Sequence, residues 1–235
     1  MFTLFGLGFL IGMRHAFEAD HAAAVATLAT RSHSIGHTIR QGVVWGLGHT
    51  LTLLLCSSII FSLESAVPER FAQGLEFLVG CMLVGLGIDV IRRLIKERIH
   101  FHVHQHRDQV HFHAHSHQGE SKNHQASTHQ HFHPQGFPYR ALLVGFMHGM
   151  AGSAALIILT LQTTLSPLTG LIYIVIFGLG SIAGMAALSL IIALPLRYSA
   201  QSFTWAHNGL QGCVGVLTII IGATILLNTG TLLLN

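Results

Sequence analysis

The sequence predicts an all-α integral membrane protein: about six transmembrane helices, arranged as two inverted three-helix repeats joined by a His-rich cytoplasmic loop. Three observations predict it. The 235-residue chain is 51% hydrophobic and 9% charged, with a mean hydropathy of +0.58, whereas a soluble domain carries about a quarter charged residues. Apolar runs at 2–30, 38–63, 71–95, 139–163, 170–195 and 205–230 each reach the roughly 20 residues that a spanning helix needs. Three short patterns recur, in the same order, in the two halves.

The first run has no basic n-region and no obvious small-residue cleavage site, so it is expected to stay as helix 1 rather than be removed as a signal peptide. Cys56, Cys81 and Cys213 all fall inside apolar runs, where free Cys behaves as a small buried hydrophobe; neither a disulfide framework nor a Cys-rich zinc site is expected. Ten of the 12 Lys and Arg lie in or beside the 1–2, 3–4 and 5–6 connections, Arg70 flanks the other side, and Arg14 lies within the membrane. Under the positive-inside rule both termini then lie outside the cytoplasm and the long 3–4 connection inside it. The formal charge of +3 follows from this bias and gives no argument for nucleic-acid binding.

The repeat is carried by three correspondences. Gly12-Met-Arg-His15 resembles Gly145-Phe-Met-His148, Trp45-Gly-Leu-Gly-His49 resembles Phe177-Gly-Leu-Gly-Ser181, and Leu75, Gly80 and Gly87 are spaced like Leu210, Gly215 and Gly222. Three helices per unit make the second unit enter the membrane from the opposite side, the plan of many secondary transporters with a midplane substrate site. The expected organisation is a first repeat over 1–96, a His-rich loop over 97–138 and a second repeat over 139–235. Twelve of the 19 histidines fall in that loop. The alternating sets His100, His102, His104, His106 and His111, His113, His115, His117 offer many neutral imidazoles without requiring a fold, which suits weak, multivalent metal capture. The loop is expected to be disordered without metal.

The candidate site starts from Arg14-His-Ala-Phe-Glu-Ala-Asp-His21, in the middle of the first apolar run. Ionisable groups at that depth cost roughly 2.5–3.5 kcal/mol apiece on insertion scales and are usually retained for function. Two imidazoles and a carboxylate suit a borderline divalent metal such as Ni²⁺, Co²⁺ or Zn²⁺. In a regular helix Asp20 lies about 140° from His15, and His21 about 120° from it on the other side, so the three cannot converge. A break near 12–20 is therefore expected, with the freed backbone lining a cavity. Glu18, four residues after Arg14, is expected to pair with it if that turn is helical. His49, His148 and Ser181 lie near the centres of their runs. For His148 ligation and helix packing stay open, because Gly149 to Ala154 form a small-residue face.

These residues carry a specific resemblance. His15-x4-Asp20-His21 is similar to the signature of the nickel/cobalt transporter family, and Leu47-Gly-His49-Thr50 resembles that family's second histidine motif. The length and Gly145-Phe-Met-His-Gly-Met-Ala-Gly-Ser153 resemble the short six-helix branch that includes urease-accessory-type nickel permeases. The resemblance implies a role in nickel or cobalt movement, with His15, Asp20, His21 and His49 at the family's essential positions. The family usually has Asp where this chain has Glu18, and its larger members carry an acidic, Thr-containing motif where this chain offers His148 and Ser153.

The expected function is a secondary permease moving Ni²⁺ or Co²⁺ through a midplane site. The metal is substrate, no catalytic cofactor is required, and the other partners are the bilayer and a cytoplasmic metallochaperone or a urease or hydrogenase maturation system. Asp20 would compensate charge; neutral His15, His21 and His49, with His148, would supply nitrogens; Arg14, Glu18 and Ser181 would support them. No Walker A pattern is present. Uptake is expected over efflux. An intramembrane metalloenzyme is the alternative class, although no His-Glu-x-x-His occurs, and a bis-histidine haem protein using His49 and His148 is a third.

Overall fold

The computed structural model describes residues 2–32, 34–63, 68–97, 100–106, 109–115, 137–163, 166–202 and 204–234. Among them are the helices α1 (Phe2–His15), α2 (Ala19–Ala29), α3 (Ile35–Leu63), α4 (Glu69–Glu97), α5 (Tyr139–Thr163), α6 (Pro167–Ser202) and α7 (Thr204–Leu234). Four stretches, Ile35–Ile60, Glu69–Lys96, Leu168–Ala200 and Trp205–Leu232, are long and apolar enough to cross a membrane. By length and composition the chain is a multi-pass membrane protein. The first apolar run is two helices, because the α-helical ladder stops at His15 and resumes at Ala19.

Helix starts follow from local chemistry. Ser34 precedes α3 and its Oγ accepts the His37 N–H at 3.1 Å, while Ser166 precedes α6 and its Oγ accepts the Thr169 N–H at 3.3 Å. Each serine satisfies a first-turn donor that has no partner within the helix. Pro167 then occupies the first helical position, where its missing N–H costs nothing.

Part of the 97–138 segment, expected to lack fixed structure, runs as an antiparallel pair of strands, β1 (His100–His106) and β2 (Gln109–His115). His100 stands opposite His115, His102 opposite His113 and His104 opposite His111. Alternation of His with Phe, Val and Ala is a period-two pattern, which suits a strand as well as a solvated tract. The side chains of these seven histidines, all of His117 and the side chain of Ser153 lie outside the described residues.

α3 packs between α5 and α6, α1 lies on α6, and α4 lies along α7. Exchanging the halves preserves these pairings: α1 meets α6 as α5 meets α3, and α2 meets α7 as α5 meets α4. The same exchange holds at atomic scale. Gly12 lies against the Phe177 carbonyl and Gly145 against the Trp45 carbonyl. Gly80 faces Gly222 where Gly87 faces Gly215 across the α4–α7 contact. The core contains Trp45, Leu83, Val144, Met185 and Leu188.

Gly145 has no room for a side chain, because a Cβ there would collide with the Trp45 backbone. Gly145→Leu is expected to force α5 off α3 at about 1–3 kcal/mol or more, lowering the melting temperature in detergent by about 2–4 °C per kcal/mol. Gly74→Leu, with open space around it, should melt with the parent. Equal melting of all three proteins would show that the α3–α5 contact is not this close.

At the end of the bundle where α2 and α4 finish and α5 begins, Asp89 accepts hydrogen bonds from Arg31 and, at 3.3 Å, from Arg93, whose Nη2 donates to Thr30 Oγ1 at 3.0 Å. Beside this network is a cavity of about 340 Å³ lined by Thr27, Leu28, Arg31, Asp89, Arg140 and Val144, among others.

Candidate metal centre

The break between α1 and α2 builds the site. After His15 the backbone tightens, with Phe17 N–H donating to Arg14 O at 2.9 Å and Glu18 N–H to His15 O at 3.1 Å. Glu18 then turns extended, at φ −63° and ψ 152°, and α2 starts afresh. The termini suit their residues: His15 ends α1 near its carbonyl pole, and Asp20 lies in the first turn of α2 near its amide pole. Asp20 Oδ1 also accepts the His21 N–H at 2.9 Å, one of the donors left free by the restart. The helical Arg14–Glu18 pair expected from spacing gives way to a contact across the turn, His15 Nδ1 to Glu18 Oε1 at 3.1 Å.

The reorientation brings together side chains that a continuous helix would keep apart. The His15 and His21 rings lie 4.6 Å apart, and His49 from α3 lies 5.4 and 5.3 Å from them. From α5, the His148 ring is 4.6 Å from His21, and its Nε2 is 3.1 Å from Asp20 Oδ2. Two ligand triads result: His15, His21 and His49, and Asp20, His21 and His148, each with donor atoms within 4.8 Å of one another. Imidazole nitrogens and carboxylate oxygens sit about 2 Å from such metals, and neighbouring ligand atoms about 3 Å apart. Small side-chain rotations would close either triad on an ion.

Burial makes the cluster expensive without a ligand. His21 and His49 are 2% and 0% exposed, and His148 is 3% exposed. Asp20 Oδ1 lies 3.2 Å from His21 Nδ1, and among the described residues neither ring nitrogen of His21 or His49 makes a hydrogen bond. Nor does His148 Nδ1. Buried polar atoms left unpaired cost about 1–3 kcal/mol each, so these five nitrogens make the cluster a candidate for a cation ligand. Asp20, half-buried, contributes a negative charge to the cluster.

Two features escape a reading of motifs. Trp45, 0% exposed, lies over His21 at 5.7 Å with planes 26° apart and 5.5 Å from His148, forming an apolar wall. Its position one turn before His49 on α3 is the signal that would have found it. The direct Asp20–His148 contact is the other, and it joins the two halves. Ser181, expected in support, is fully buried on α6, and its Oγ has no hydrogen-bond partner among the described residues. Arg14 is exposed.

No protein-family model matches the chain, and no solved structure matches it. The chain is 34% identical over 231 residues to the urease accessory protein UreH of Bacillus sp. (strain TB-90), an alignment covering 98% of this chain and 93% of the relative. With a match at this identity running through nearly the whole of both chains, the chain belongs to the family of the urease accessory protein UreH.

Proposed function

We propose that the chain is a secondary permease that carries Ni²⁺ or Co²⁺ into the cytoplasm through the His15, Asp20, His21, His49 and His148 cluster. The observation that carries this is the convergence, inside the helical bundle, of four imidazoles and one carboxylate from α1, α2, α3 and α5. A donor set of neutral nitrogens plus one oxygen selects borderline divalent metals over Mg²⁺ or Ca²⁺. Its loose spacing suits transport, which needs an ion bound firmly enough to be chosen and weakly enough to leave. The name of the relative, a urease accessory protein, supports delivery of metal to a cytoplasmic maturation system, hence uptake rather than efflux. The chain acts as a carrier, not an enzyme.

In this reading the first spanning segment is α1 with α2, and α5 is its counterpart in the second half. The exchange-symmetric packing of Gly12 on Phe177 and Gly145 on Trp45 supports two inverted repeats, 1–96 and 139–235. Basic residues put the His-rich segment 97–138 in the cytoplasm and both termini outside. Its histidines would gather the released ion rather than form the pathway.

The test is Ni²⁺ and Co²⁺ flux in proteoliposomes of defined orientation, comparing the intact chain with a 100–133 deletion. The deletion is expected to slow uptake by no more than about fivefold, since weak capture sites off the path change only the local ion concentration. Abolition would make the loop part of the pathway, and absence of metal flux in the intact chain would refute the permease. Binding has its own reporter. Of the two tryptophans, Trp45 faces the cluster and Trp205 is 79% exposed. In a Trp205→Phe protein, Co²⁺ should quench most of the remaining emission and Mg²⁺ none; undiminished emission with saturating Co²⁺ would place the ion elsewhere.

A further inference from the structure

We propose that the cluster is two ion positions in series that share His21: an outer one formed by His15, His21 and His49, and an inner one formed by Asp20, His21 and His148. The ion passes between them by pivoting on His21. This rests on the permease function proposed above and adds the route that the ion takes.

The two triads have a single residue in common, and among the described residues neither ring nitrogen of that residue makes a hydrogen bond, Nδ1 lying 3.2 Å from Asp20 Oδ1. They also differ in depth. The His15 ring packs on Phe177 at 5.4 Å, and the His148 ring packs on Trp45 at 5.5 Å. α3 and α6 run antiparallel, with Gly46 against Ile182 and Gly178 against Thr50. Phe177 is therefore level with residues just past Thr50, and Trp45 lies about one and a half turns nearer the start of α3, an offset of about 8 Å along the bundle. His21 spans the gap, with its ring 4.6 Å from His15 and 4.6 Å from His148.

The inner position is the one nearer the basic end of the bundle. Val144 is one turn before His148 and Leu28 two turns beyond His21, and both line the cavity that also holds Asp89 and Arg31. The ligand sets fit this order. Three neutral imidazoles receive the ion as it sheds water, and the carboxylate then stabilises it at the deeper position. Two divalent ions this close would repel strongly, so one ion occupies the pair at a time. No bond to hydrogen changes in the transfer; His15 and His49 leave the ion as Asp20 and His148 join it.

The experiment titrates the full-length protein in detergent with Co²⁺, following its visible absorption and the bound metal by equilibrium dialysis, and measures Co²⁺ flux in vesicles. The proteins are the parent, His49→Ala, His148→Ala and His21→Ala, with His49→Gln and His148→Gln as better-packed versions and melting curves as the check on folding. The parent, His49→Ala and His148→Ala should each bind one Co²⁺ with affinities within about tenfold, but with different spectra, because each single variant confines the ion to one position. Both should lose at least about a hundredfold in flux, and His21→Ala should lose binding as well. Loss of Co²⁺ binding in both His49 and His148 variants, equal to that of His21→Ala, would mean one closed five-ligand site and overturn the relay. Parental flux in either would do the same, by taking that position off the path. If the parent itself neither bound nor carried Co²⁺, the permease function would fail, not the relay alone.

Discussion

His21→Ala is expected to reduce Ni²⁺ or Co²⁺ uptake to the level of empty vesicles, a loss of at least about a hundredfold. Removing a partner that merely orients a metal ligand costs about 10–100-fold in affinity or activity, and His21 belongs to both ligand triads. No other imidazole in the cluster can substitute for it, because its ring lies between His15 and His148 and against His49. The measurement is the initial rate of metal entry into proteoliposomes at matched protein density, with the melting temperature as the control. An alanine here removes an unpaired buried imidazole, so the variant should fold. A folded His21→Ala protein that transported at the parental rate would eliminate the site.

Uptake is also expected to fall as the pH is lowered into the acid range. The imidazoles must be neutral to donate nitrogen lone pairs to the metal, and protons compete for those lone pairs. The sign is therefore fixed: acid converts ligands into cations that repel the ion, and flux decreases. Once protons compete for the ligand nitrogens, one competing proton gives about a tenfold loss per pH unit and two give about a hundredfold. Initial rates at fixed free metal, with the same pH on both sides of the vesicle, separate this from any effect of a proton gradient. Rates that stayed flat or rose toward acid would exclude neutral histidines as the ligands.

Much of this was legible in the sequence. The angle between His15, Asp20 and His21 on a regular helix already required a break, and the chain breaks at 16–18. The spacing could not say what Glu18 does, because the answer depends on that break: in a helix it reaches Arg14, across the turn it reaches His15. His148 could be read as ligand or packing residue alike until α5 was seen to carry it to Asp20 at 3.1 Å. The two strands in the His-rich segment were hidden because alternating His and apolar residues satisfy a strand and a solvated tract equally.

By itself the sequence determined that the chain belongs in a membrane and that four of its candidate ligand residues lie in two motifs on neighbouring helices. Apolar length and buried ionisable residues are one-dimensional properties, and the bilayer as solvent turns them directly into structure. Tertiary structure alone decided which donors meet, that His148 completes the set, that Trp45 walls it, and that two triads share His21. Those facts depend on how α5 packs on α3 through Gly145 and on how α2 leaves α1. Contacts between residues more than a hundred positions apart are set by the fit of whole helix faces, which no local pattern encodes.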